Sequence, residues 1–357
     1  MPQPRLFEPF SLRGVTLRNR VGVSPMCQYS AVDGLPQPWH MVHLGSRAVG
    51  GAGLVIAEAT GVLAEGRITS GCTGIWSDKH AEAWAPIAAF VKAHGAVPGI
   101  QIGHAGRKAS AALPWNGGEH LANDKGGWDI VAPSALAFGG GLSRVPKALD
   151  RDGIAQLRKA FRDAAQRALG AGFEWLELHG AHGYLLHEFL SPLSNQRTDD
   201  YGGSFENRIR LVLEIASDVR TVWPEKFPLA VRISCTDWED RGWDLPQSIE
   251  LAKQLKKCGV DLVDCSSGGT TLTAKIPVGP GYQVPFAEAI RKEAGIATAA
   301  VGLITEPAQA EEILAGGKAD LVLLARAELR DPYWPVHAAK ALGAPEACKP
   351  AVQYGRA

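Results

Sequence analysis

The sequence predicts a (β/α)8 barrel, on three observations. Eight short and largely continuous apolar segments recur along the chain, as expected of strands that are covered on both faces. Successive segments begin at least 22 residues apart, which leaves room for a crossover helix and favours parallel pairing. Polar or thiol groups end seven of the eight segments, at the edge where such a barrel builds its active site. An open, doubly wound sheet is the second choice, because no G-x-G-x-x-G motif follows the first segment.

The predicted strands are taken in chain order. They begin at Val21, Gly53, Val97, Phe173, Pro228, Val260, Ala297 and Ala319. In the fourth, alternation places Trp175, Glu177 and His179 on one face and Leu176 and Leu178 on the other.

Helix signals lie between the strands. Ser77 is placed to cap a helix that runs to Gly95. Asp152 precedes apolar residues at helical spacing, which stop at Gly170 and Gly172. Thr305 is predicted to cap a further helix, which glycines at 316 and 317 end.

Two segments fall outside the repeating pattern. Arg13-Gly14 lies between the apolar triplets 10–12 and 15–17, which predicts a hairpin that closes the bottom of the barrel. Residues 105–149 follow the third strand and contain several glycine pairs, so we predict a long loop excursion over the barrel mouth. No linker interrupts the chain, and we predict one domain over 1–357, with a carboxyl-terminal tail at about 345–357.

Composition excludes several classes of protein. The 357 residues carry 37 Lys+Arg against 37 Asp+Glu, so the chain has no basic surface for nucleic acid. No apolar run is long enough to span a membrane, and the residues after Met1 lack an apolar signal core. No cysteine pair has the C-x-x-C spacing of structural zinc, and we predict reduced thiols in a cytoplasmic protein. The six cysteines are Cys27, Cys72, Cys235, Cys258, Cys265 and Cys348.

The strand ends collect the candidate functional groups. They are Pro25-Met26-Cys27, Glu58-Ala59-Thr60, Gln101, His179 with His182, Arg232, Ser266-Ser267, Gly302 and Arg326. A merely polar rim is the plain alternative. Because the carboxyl ends of barrel strands meet around one mouth, we expect these groups to surround a single site.

The fourth strand end is the most informative. His179 and His182 lie three residues apart beyond the strand, so their imidazoles can donate to one oxygen atom. Tyr184 follows and can supply a proton as a general acid. A zinc pair would need further ligands, and neither H-x-H nor H-E-x-x-H occurs. A pair of merely packed histidines is the other alternative.

Two arginines, a glutamine and a glycine lie at other strand ends. Arg232 ends an apolar strand and could stabilise an anionic ring or a carboxylate, a structural salt bridge being the alternative. Gln101 offers the donor and acceptor that recognition of a planar ring edge needs. Gly302 and Arg326 follow the last two strands, where this fold commonly binds phosphate. Together they favour a phosphorylated cofactor.

Several longer motifs resemble one known family, the old yellow enzymes, in the bacterial class that has a cysteine near the flavin. That class includes NADPH dehydrogenases and xenobiotic reductases, and the resemblance covers nearly the whole chain. The motifs are S-P-M-C-Q-Y from Ser24, Q-I-G-H-A-G-R-K from Gln101, H-G-A-H-G-Y-L from His179, S-P-L-S-N-Q-R-T-D from Ser191 and Y-G-G-S from Tyr201.

The resemblance implies a flavin-dependent barrel that cradles FMN. The implied cofactor-binding residues are Ser24, Pro25, Met26, Cys27, Ala59, Gln101, Arg232, Ala325 and Arg326, and Gly302 joins them from its place after the seventh strand. Arg232 would favour the reduced anion, and Cys27 would tune the flavin without acting as a covalent nucleophile. The family often has Gly-Arg at the end of the last strand, where this chain has Ala325-Arg326.

The implied reaction has two halves at one site. NADPH reduces FMN, and reduced FMN then delivers hydride to the β-carbon of an activated alkene such as an enone or nitroalkene. His179 and His182 would bind the substrate oxygen, Tyr184 would protonate the α-carbon, and Tyr29 would add a hydrogen bond. Arg356 matches an arginine that reaches a neighbouring subunit's site, which implies a homodimer or homotetramer.

Four alternatives stay open beside the ene-reductase. One is reduction of nitroesters or quinones at the same flavin. A metal-dependent hydrolase on the same barrel is disfavoured by the missing ligand spacing. A flavin-binding protein without turnover is the third. The fourth, a dienoyl-thioester reductase, would normally carry clustered cysteines for an iron–sulfur centre, which this chain lacks.

Overall fold

The computed structural model describes residues 3–356. Met1, Pro2 and Ala357, at the two ends of the predicted domain, lie outside the described residues. The strands are β1 (Phe10–Leu12), β2 (Val15–Leu17), β3 (Val21–Val23), β4 (Leu54–Gly61), β5 (Val97–Gly103), β6 (Val131–Ala132), β7 (Lys147–Ala148), β8 (Trp175–Gly180), β9 (Leu229–Ser234), β10 (Leu262–Ser266), β11 (Ala297–Ala300) and β12 (Leu321–Leu324).

Eight of these strands form a closed parallel barrel. Going around it, each of β3, β4, β5, β8, β9, β10, β11 and β12 pairs with its neighbours in chain order, and β12 pairs back with β3. All eight strands predicted from the apolar segments are therefore present, and the predicted (β/α)8 barrel is confirmed. The doubly wound alternative is wrong, because closure leaves the barrel sheet no free edge.

Helices cover the outside of the barrel. They are α1 (Pro38–Val49), α2 (Asp78–Ala93), α3 (Arg151–Gly170), α4 (Leu185–Leu190), α5 (Phe205–Arg220), α6 (Leu245–Lys257), α7 (Val284–Ala294), α8 (Pro307–Ala315), α9 (Arg326–Arg330) and α10 (Trp334–Ala341). Short 3-10 helices cover Arg5–Phe7, Ala64–Gly66, Gly106–Lys108, Pro114–Asn116, Asn123–Lys125, Pro345–Ala347 and Val352–Tyr354. No helix within residues 3–356 is long and apolar enough to cross a bilayer.

The apolar core has two layers. The larger layer lies between the barrel and its helices and includes Leu176 and Leu178 of β8. The smaller layer fills the barrel interior and includes Trp175. The alternation predicted for this strand is therefore correct.

The predicted hairpin is also present. β1 and β2 pair antiparallel, with Phe10 opposite Leu17. Val15 and Leu17 pack in the interior layer with Leu54, which begins β4. The hairpin thus closes the amino-terminal end of the barrel and leaves the opposite end open for a site.

Two predicted caps differ from the structure. Glu306, not Thr305, occupies the N-cap of α8, and it makes no side-chain cap hydrogen bond. Pro307 at the first position of α8 favours this boundary, since its φ already suits a helix. Ser77 does occupy the N-cap of α2, but its hydroxyl bonds the His80 ring at 2.6 Å instead of a backbone N–H.

The excursion after β5 lies over the barrel mouth, as predicted. It contains the short strands β6 and β7, which pair parallel. Its buried Arg107 donates to the carbonyl of Thr270 at 2.7 Å. This contact ties the excursion to the loop after β10.

Candidate active site

A cavity of about 270 Å³ opens at the carboxyl ends of the last strands. Three arginines line it, and no carboxylate does so among the described residues. Such a lining favours an anionic ligand. The full lining consists of His182, Arg232, Ser266, Tyr282, Gln283, Val301, Gly302, Leu303, Ile304, Thr305, Leu323, Ala325, Arg326, Ala327 and Arg330.

Arg326 and Arg330 mark one side of this cavity. Both belong to α9 and are exposed, four residues apart on one helix face. Gly302 adopts φ +121°, and a Cβ there would lie 2.8 Å from Gln283 Nε2. A side chain at this position would therefore press into the cavity wall. Ala325 has φ −111°, so alanine fits in place of the glycine that the family often has.

Arg232 marks the other side. Its guanidinium donates to Ser24 Oγ at 3.1 Å and pairs with Asp264 at 3.0 Å. Because Arg232 is 7% exposed and Asp264 is fully buried, the pair fixes a positive group at the mouth. Burial raises the pKa of Asp264, and the arginine opposes that effect.

Gln101 is buried beside this pair. It donates to Glu177 Oε1 at 2.8 Å, and the other oxygen of Glu177 has no hydrogen-bond partner. Burial raises the pKa of Glu177, and the neighbouring Asp264 adds to the effect. Gln101 does not line the arginine-lined cavity, and its amide nitrogen is already engaged by Glu177.

The loop after β3 carries the Ser24–Tyr29 motif. Ser24 is buried, and residues 25–29 are half-buried. The Gln28 N–H donates to Glu58 at 3.2 Å, and Glu58 also meets His40 at 3.1 Å. Tyr29 has φ +52°, a conformation that non-glycine residues adopt only where surroundings impose it. Glu58 thereby holds the motif loop against β4.

β4 bulges at the same place. Its pairing with β5 shifts register between Ala57 and Thr60, and bulges of this kind re-aim side chains. Ala59 lines a small recess together with His179 and Tyr184. The structure therefore brings the β4 end to the imidazole cluster, as the strand ends predict.

His179, His182 and Tyr184 form an aromatic cluster at the end of β8. The His179 ring centroid lies 5.2 Å from that of His182 and 5.1 Å from that of Tyr184, edge to face in both cases. His182 Nε2 lies 2.7 Å from Ser266 Oγ. His179 Nδ1 is buried without a hydrogen-bond partner, so it is available to a bound ligand.

Burial controls the protonation of this cluster. It lowers the pKa of both imidazoles well below the usual value, and the positive Arg232 adds to the effect. It raises the pKa of Tyr184 well above the usual value. Near neutral pH the two rings are uncharged and the phenol keeps its proton.

A half-buried lysine supports the turn that presents this cluster. Lys108 donates to the carbonyls of His182, at 2.8 Å, and Gly269. Burial lowers its pKa to about 8. The turn needs this support because His182 adopts φ +60°.

A second buried group holds the same turn from below. The Gly183 N–H donates to His187 Nδ1 at 2.9 Å, and His187 Nε2 lies 3.0 Å from Asp237. Asp237 also accepts from Ser191 at 2.6 Å and from Thr270 at 2.7 Å. The loops after β8, β9 and β10 are thereby joined beneath the candidate catalytic residues.

These residues fit FMN. The arginines at 326 and 330 suit a phosphate, Gly302 keeps the cavity wall thin, and Arg232 suits the electron-rich edge of a reduced ring. The unpartnered His179 Nδ1 suits an oxygen atom of a bound ligand. Within residues 3–356 no group of three or more His, Cys, Asp or Glu side chains is arranged to hold a metal ion.

The sequence profile of the NADH:flavin oxidoreductase / NADH oxidase family matches residues 5–344. The chain belongs to this family. It is a flavin-dependent oxidoreductase of the old yellow enzyme group with FMN as its cofactor, and the resemblance noted in the sequence is confirmed.

Individual relatives are similar over nearly their whole length. An NADPH dehydrogenase of Geobacillus sp. (strain WCH70) is 52% identical over 353 residues, which cover 98% of each chain. The structure of morphinone reductase matches with a TM-score of 0.80 and 29% identity, over 96% of this chain and 90% of that one. An old yellow enzyme homologue from Zymomonas mobilis matches with a TM-score of 0.78 and 28% identity, over 98% and 96%.

Eight of the residues assigned a catalytic, substrate-binding or cofactor-binding role in the sequence line one of the two cavities: His182, Arg232, Gly302, Ala325 and Arg326 line the larger one, and Ala59, His179 and Tyr184 line the small recess. Ser24, Pro25, Met26, Cys27, Tyr29 and Gln101 line neither, although Ser24 bonds Arg232. Arg356 also lines neither, and it is exposed. Sequence reasoning missed Tyr282, Gln283, Thr305 and Arg330 of the cavity lining. Arg330 had a usable signal, because it follows Arg326 by one helical turn. Gln283 follows a long loop and had none.

Proposed function

We propose that this flavoenzyme is an NADPH-dependent ene-reductase that reduces activated alkenes such as enones and nitroalkenes. The observation that carries the proposal is the cluster of two uncharged imidazoles and a protonated phenol beside the arginine-lined cavity. Reduction of such an alkene needs an oxygen-binding group, a hydride donor and a proton donor. When bound, FMN supplies the hydride, which it receives from NADPH, the reductant named for the Geobacillus relative.

The imidazoles bind the substrate oxygen. Negative charge develops on a carbonyl or nitro oxygen as hydride adds to the β-carbon, and N–H donors aimed at that oxygen stabilise it. A neutral imidazole has one N–H and one acceptor nitrogen. Ser266 contacts Nε2 of His182 and so orients that ring, whereas His179 Nδ1 has no protein partner to displace.

Tyr184 holds the proton for the α-carbon. Its raised pKa keeps the hydroxyl protonated, and its ring packs edge to face on His179. Hydride and proton thus reach the two alkene carbons from different groups. Tyr29 is assigned a hydrogen bond to the substrate.

The residues proposed to bind FMN divide into those at its phosphate end and those around its ring. Arg326 and the backbone at Gly302 and Ala325 hold the phosphate end. Ser24, Pro25, Met26, Cys27, Ala59, Gln101 and Arg232 surround the ring. Asp264 keeps Arg232 in position. The same donors would also hold the oxygens of nitroesters or quinones, which are the alternative substrates.

The quaternary structure and location are part of the proposal. We assign the enzyme to the cytoplasm as a homodimer or homotetramer. The tail of one subunit would place Arg356 at the substrate site of another. This assignment accounts for the exposure of Arg356 in the single chain.

Two measurements test the activity. Titration of the FMN-loaded enzyme with a para-substituted phenol should give a long-wavelength charge-transfer band, because the imidazoles hold the phenol oxygen over the ring. Anaerobic enzyme reduced with one equivalent of NADPH should be reoxidised by 2-cyclohexen-1-one. A protein that binds FMN but is not reoxidised by any enone, nitroalkene or quinone would contradict the proposal.

The double variant His179→Ala/His182→Ala is the matched control. It should lose the phenol band while FMN remains bound. An unchanged band would exclude the oxygen-binding role of these rings.

A further inference from the structure

A polar layer lies between the apolar interior of the barrel and the cofactor cavity. The apolar interior contains one residue from each of three adjacent strands: Trp175 of β8, Ala230 of β9 and Leu262 of β10. Because alternate residues of a strand face the same side, the next inward side chains on these strands are those of Glu177, Arg232 and Asp264. All three are buried, and Arg232 also lines the cavity. We call these three residues the polar layer.

The carboxyl oxygens of this layer have few donors. Glu177 Oε1 accepts from Gln101 Nε2 at 2.8 Å, whereas Glu177 Oε2 has no hydrogen-bond partner among the described residues. Arg232 Nε lies 3.0 Å from Asp264 Oδ2, which makes an ion pair. Neither Asp264 oxygen receives a well-directed hydrogen bond from residues 3–356. The polar layer therefore holds one cation for two carboxyl groups.

This imbalance assigns a proton to one of the two carboxyl groups. A buried carboxylate without a cation is strongly disfavoured, and such a group keeps its proton instead. Asp264 contacts the guanidinium of Arg232 and is therefore the ionised member. Glu177 meets only the neutral amide of Gln101, so we infer that Glu177 is the protonated member.

The charges around Glu177 agree with this assignment. Burial raises the pKa of Glu177, and the negative charge of Asp264 raises it further, while Arg232 opposes both effects. At Asp264, Arg232 likewise opposes the effect of burial on the pKa. The other groups that face Glu177 are the uncharged Gln101 of β5 and, on β8 itself, the uncharged imidazole of His179. Above neutral pH, Glu177 is thus the member of this set that changes charge.

We propose that Glu177 holds a buried proton and thereby sets the reduction potential of FMN through Arg232. With Glu177 neutral, the polar layer has no net charge and does not oppose the electron-rich ring of the reduced cofactor. An ionised Glu177 would add a negative charge behind Arg232 and would lower the potential. Glu177 does not line the cavity, so it is a positioning residue. The proposal rests on the assignment of Arg232 to the FMN ring and is independent of the alkene substrate.

Reduction in alkaline solution should reveal this proton. Formation of the anionic reduced ring takes two electrons and one proton. The new negative charge raises the pKa of Glu177, so in alkaline solution a second proton passes from solvent to the ionised Glu177 carboxylate during reduction. Two electrons are then accompanied by two protons instead of one. The slope of the potential against pH should therefore double over this range.

Infrared spectroscopy tests where the proton lies, in the apoprotein as well as in the FMN-loaded enzyme. The difference between the spectra of wild type and Glu177→Gln at pH 7 should contain the C=O stretch of a protonated carboxyl group. This band should shift when glutamate is labelled with carbon-13, and it should weaken as the pH rises towards 10. A difference spectrum that contains only carboxylate bands would overturn the proposal.

Spectroelectrochemical titration of the FMN-loaded enzyme tests the effect on the cofactor. Glutamine mimics a glutamate that is always protonated, so wild type and Glu177→Gln should have the same potential near pH 7. At higher pH the wild-type potential should fall up to twice as steeply and drop below that of the variant. Parallel curves from pH 6 to 10 would exclude the proposed role of Glu177.

Glu188→Gln is the matched control. Glu188 is also fully buried with an unpartnered oxygen, and burial raises its pKa, but it lies on α4 outside the barrel interior. Its replacement should leave the wild-type dependence of potential on pH unchanged. If Glu188→Gln changes the curve as Glu177→Gln does, the effect is not specific to the polar layer and the proposal fails.

A double variant tests the link through Arg232. Asp264→Asn in the Glu177→Gln background removes the negative charge that balances Arg232. Reduced FMN should then be bound at least tenfold more tightly relative to oxidised FMN, a rise of about 30 mV for a two-electron couple. An unchanged potential would contradict the assignment of Arg232 to the ring and, with it, the proposal. The comparison of wild type with Glu177→Gln decides the matter even if the double variant fails to fold.

Discussion

Tyr184 illustrates how position along the chain and surroundings combine at one residue. It occupies the N-cap of α4, where its backbone continues directly from the turn that carries His182. Burial raises the pKa of its hydroxyl well above the usual value, so the residue holds its proton near neutral pH.

Replacing Tyr184 by phenylalanine should separate the two half-reactions. Alkene reduction should slow by ~10²- to 10⁴-fold, the range typical of general acid catalysis. Reduction of the flavin by NADPH should change little, since that step needs no proton from the phenol. Anaerobic stopped-flow spectroscopy of each half-reaction measures both. Equal losses in the two half-reactions would contradict the assignment of Tyr184 as the acid.

The imidazoles of His179 and His182 should remain uncharged across the physiological range. Their pKa values are lowered well below the usual value. Protonation therefore begins only as the pH falls well below the pKa of ~6.5 seen in an unfolded chain. Nitrogen NMR of labelled histidine, assigned through single His→Asn variants, should show neutral rings from pH 8 to 6. An imidazolium signal from either ring at pH 6 would contradict this expectation.

Individual site residues were predictable where the chain groups them or where a barrel strand ends. His179, His182 and Tyr184 lie within six positions, so one strand end places all three. Ser266 ends β10, was predicted from that position, and bonds His182. Gln283 was not predicted; it reaches the same mouth from the start of α7 and donates to the Val301 carbonyl. Polar residues of this kind are common in loops, and only three-dimensional placement distinguishes them.

Among the elements, the turn after β11 is built around Gly302. Its φ of +121° and its approach to Gln283 and Tyr282 leave no room for a side chain. A left-handed turn without glycine costs ~1–3 kcal/mol, and here the strain falls on the cofactor cavity.

Gly302→Ala should therefore weaken FMN binding about tenfold or more, equal to ~1.4 kcal/mol. Gly279→Ala is the control, because it lies in a nearby loop with open space around its Cβ position and no positive φ. Fluorescence titration of each apoprotein with FMN gives the dissociation constants. If Gly302→Ala raises the dissociation constant of FMN twofold or less, the cavity wall accepts the added methyl group without weakening the binding of FMN.

The loops after β8, β9 and β10 are joined by the buried carboxylate of Asp237. Burial alone would raise its pKa, but donors from His187, Ser191 and Trp243 outweigh that effect and lower the pKa from 3.8 to about 2. A carboxyl group with a lowered pKa stabilises the fold above its unfolded pKa. This contribution is lost as the pH falls from about 4 towards 2.

Asp237→Asn should destabilise the protein by ~2 kcal/mol at pH 7, from a shift of nearly two pKa units. The difference in unfolding free energy between wild type and the variant should narrow as the pH falls below 4. The wild-type carboxyl is then protonated and, like the asparagine amide, carries no charge. Asp200→Asn removes an exposed ion pair with Arg151 and should cost less than ~1 kcal/mol. Thermal unfolding at several pH values measures both. A difference in stability that stays constant from pH 7 to 2.5 would show that the ionised carboxylate is not what stabilises the wild-type protein.

Element boundaries show where local signals suffice. Asp150 caps α3 through the Gly153 N–H at 2.7 Å, two residues before the Asp152 that precedes the helical pattern. Glu306 replaces the expected Thr305 before α8. Apolar periodicity predicts the strands and most helices. It does not predict the N-cap residue of a helix, which depends on which neighbouring side chain meets the free N–H groups.

At the scale of the whole molecule, barrel closure turns sequence order into a shared site. β3 pairs with both β4 and β12, so the first and last strand ends become neighbours. Closure also lets Ser24, at the end of β3, accept a hydrogen bond from Arg232 of β9, a strand that pairs with β8 and β10, although 208 residues separate the two. The sequence predicted this convergence because parallel strands place all their carboxyl ends on one side. The contacts made by the tail beyond α10 follow from no repeating pattern.

The tail leaves apolar side chains at the surface of the single chain. Val352 is 90% exposed and Tyr354 is 47% exposed, with the Tyr354 ring 6.0 Å from that of Tyr333. Contact with another subunit would cover these side chains. If Arg356 lies in the active site of a neighbouring subunit, two inactive variants should restore activity when they assemble into one oligomer.

Mixed oligomers test this placement. Arg356→Ala lacks the donated arginine, and Tyr184→Phe lacks the acid, so each variant alone should reduce alkenes poorly. Co-expression with two affinity tags, followed by tandem purification, gives hybrids of the two. In a hybrid dimer, the intact Tyr184 of one subunit meets the intact Arg356 of the other, and one site of two is complete. Alkene reduction should then rise to about half the wild-type rate per dimer, well above either parent. Activity at the mean of the two parents would place Arg356 at its own subunit's site or at none.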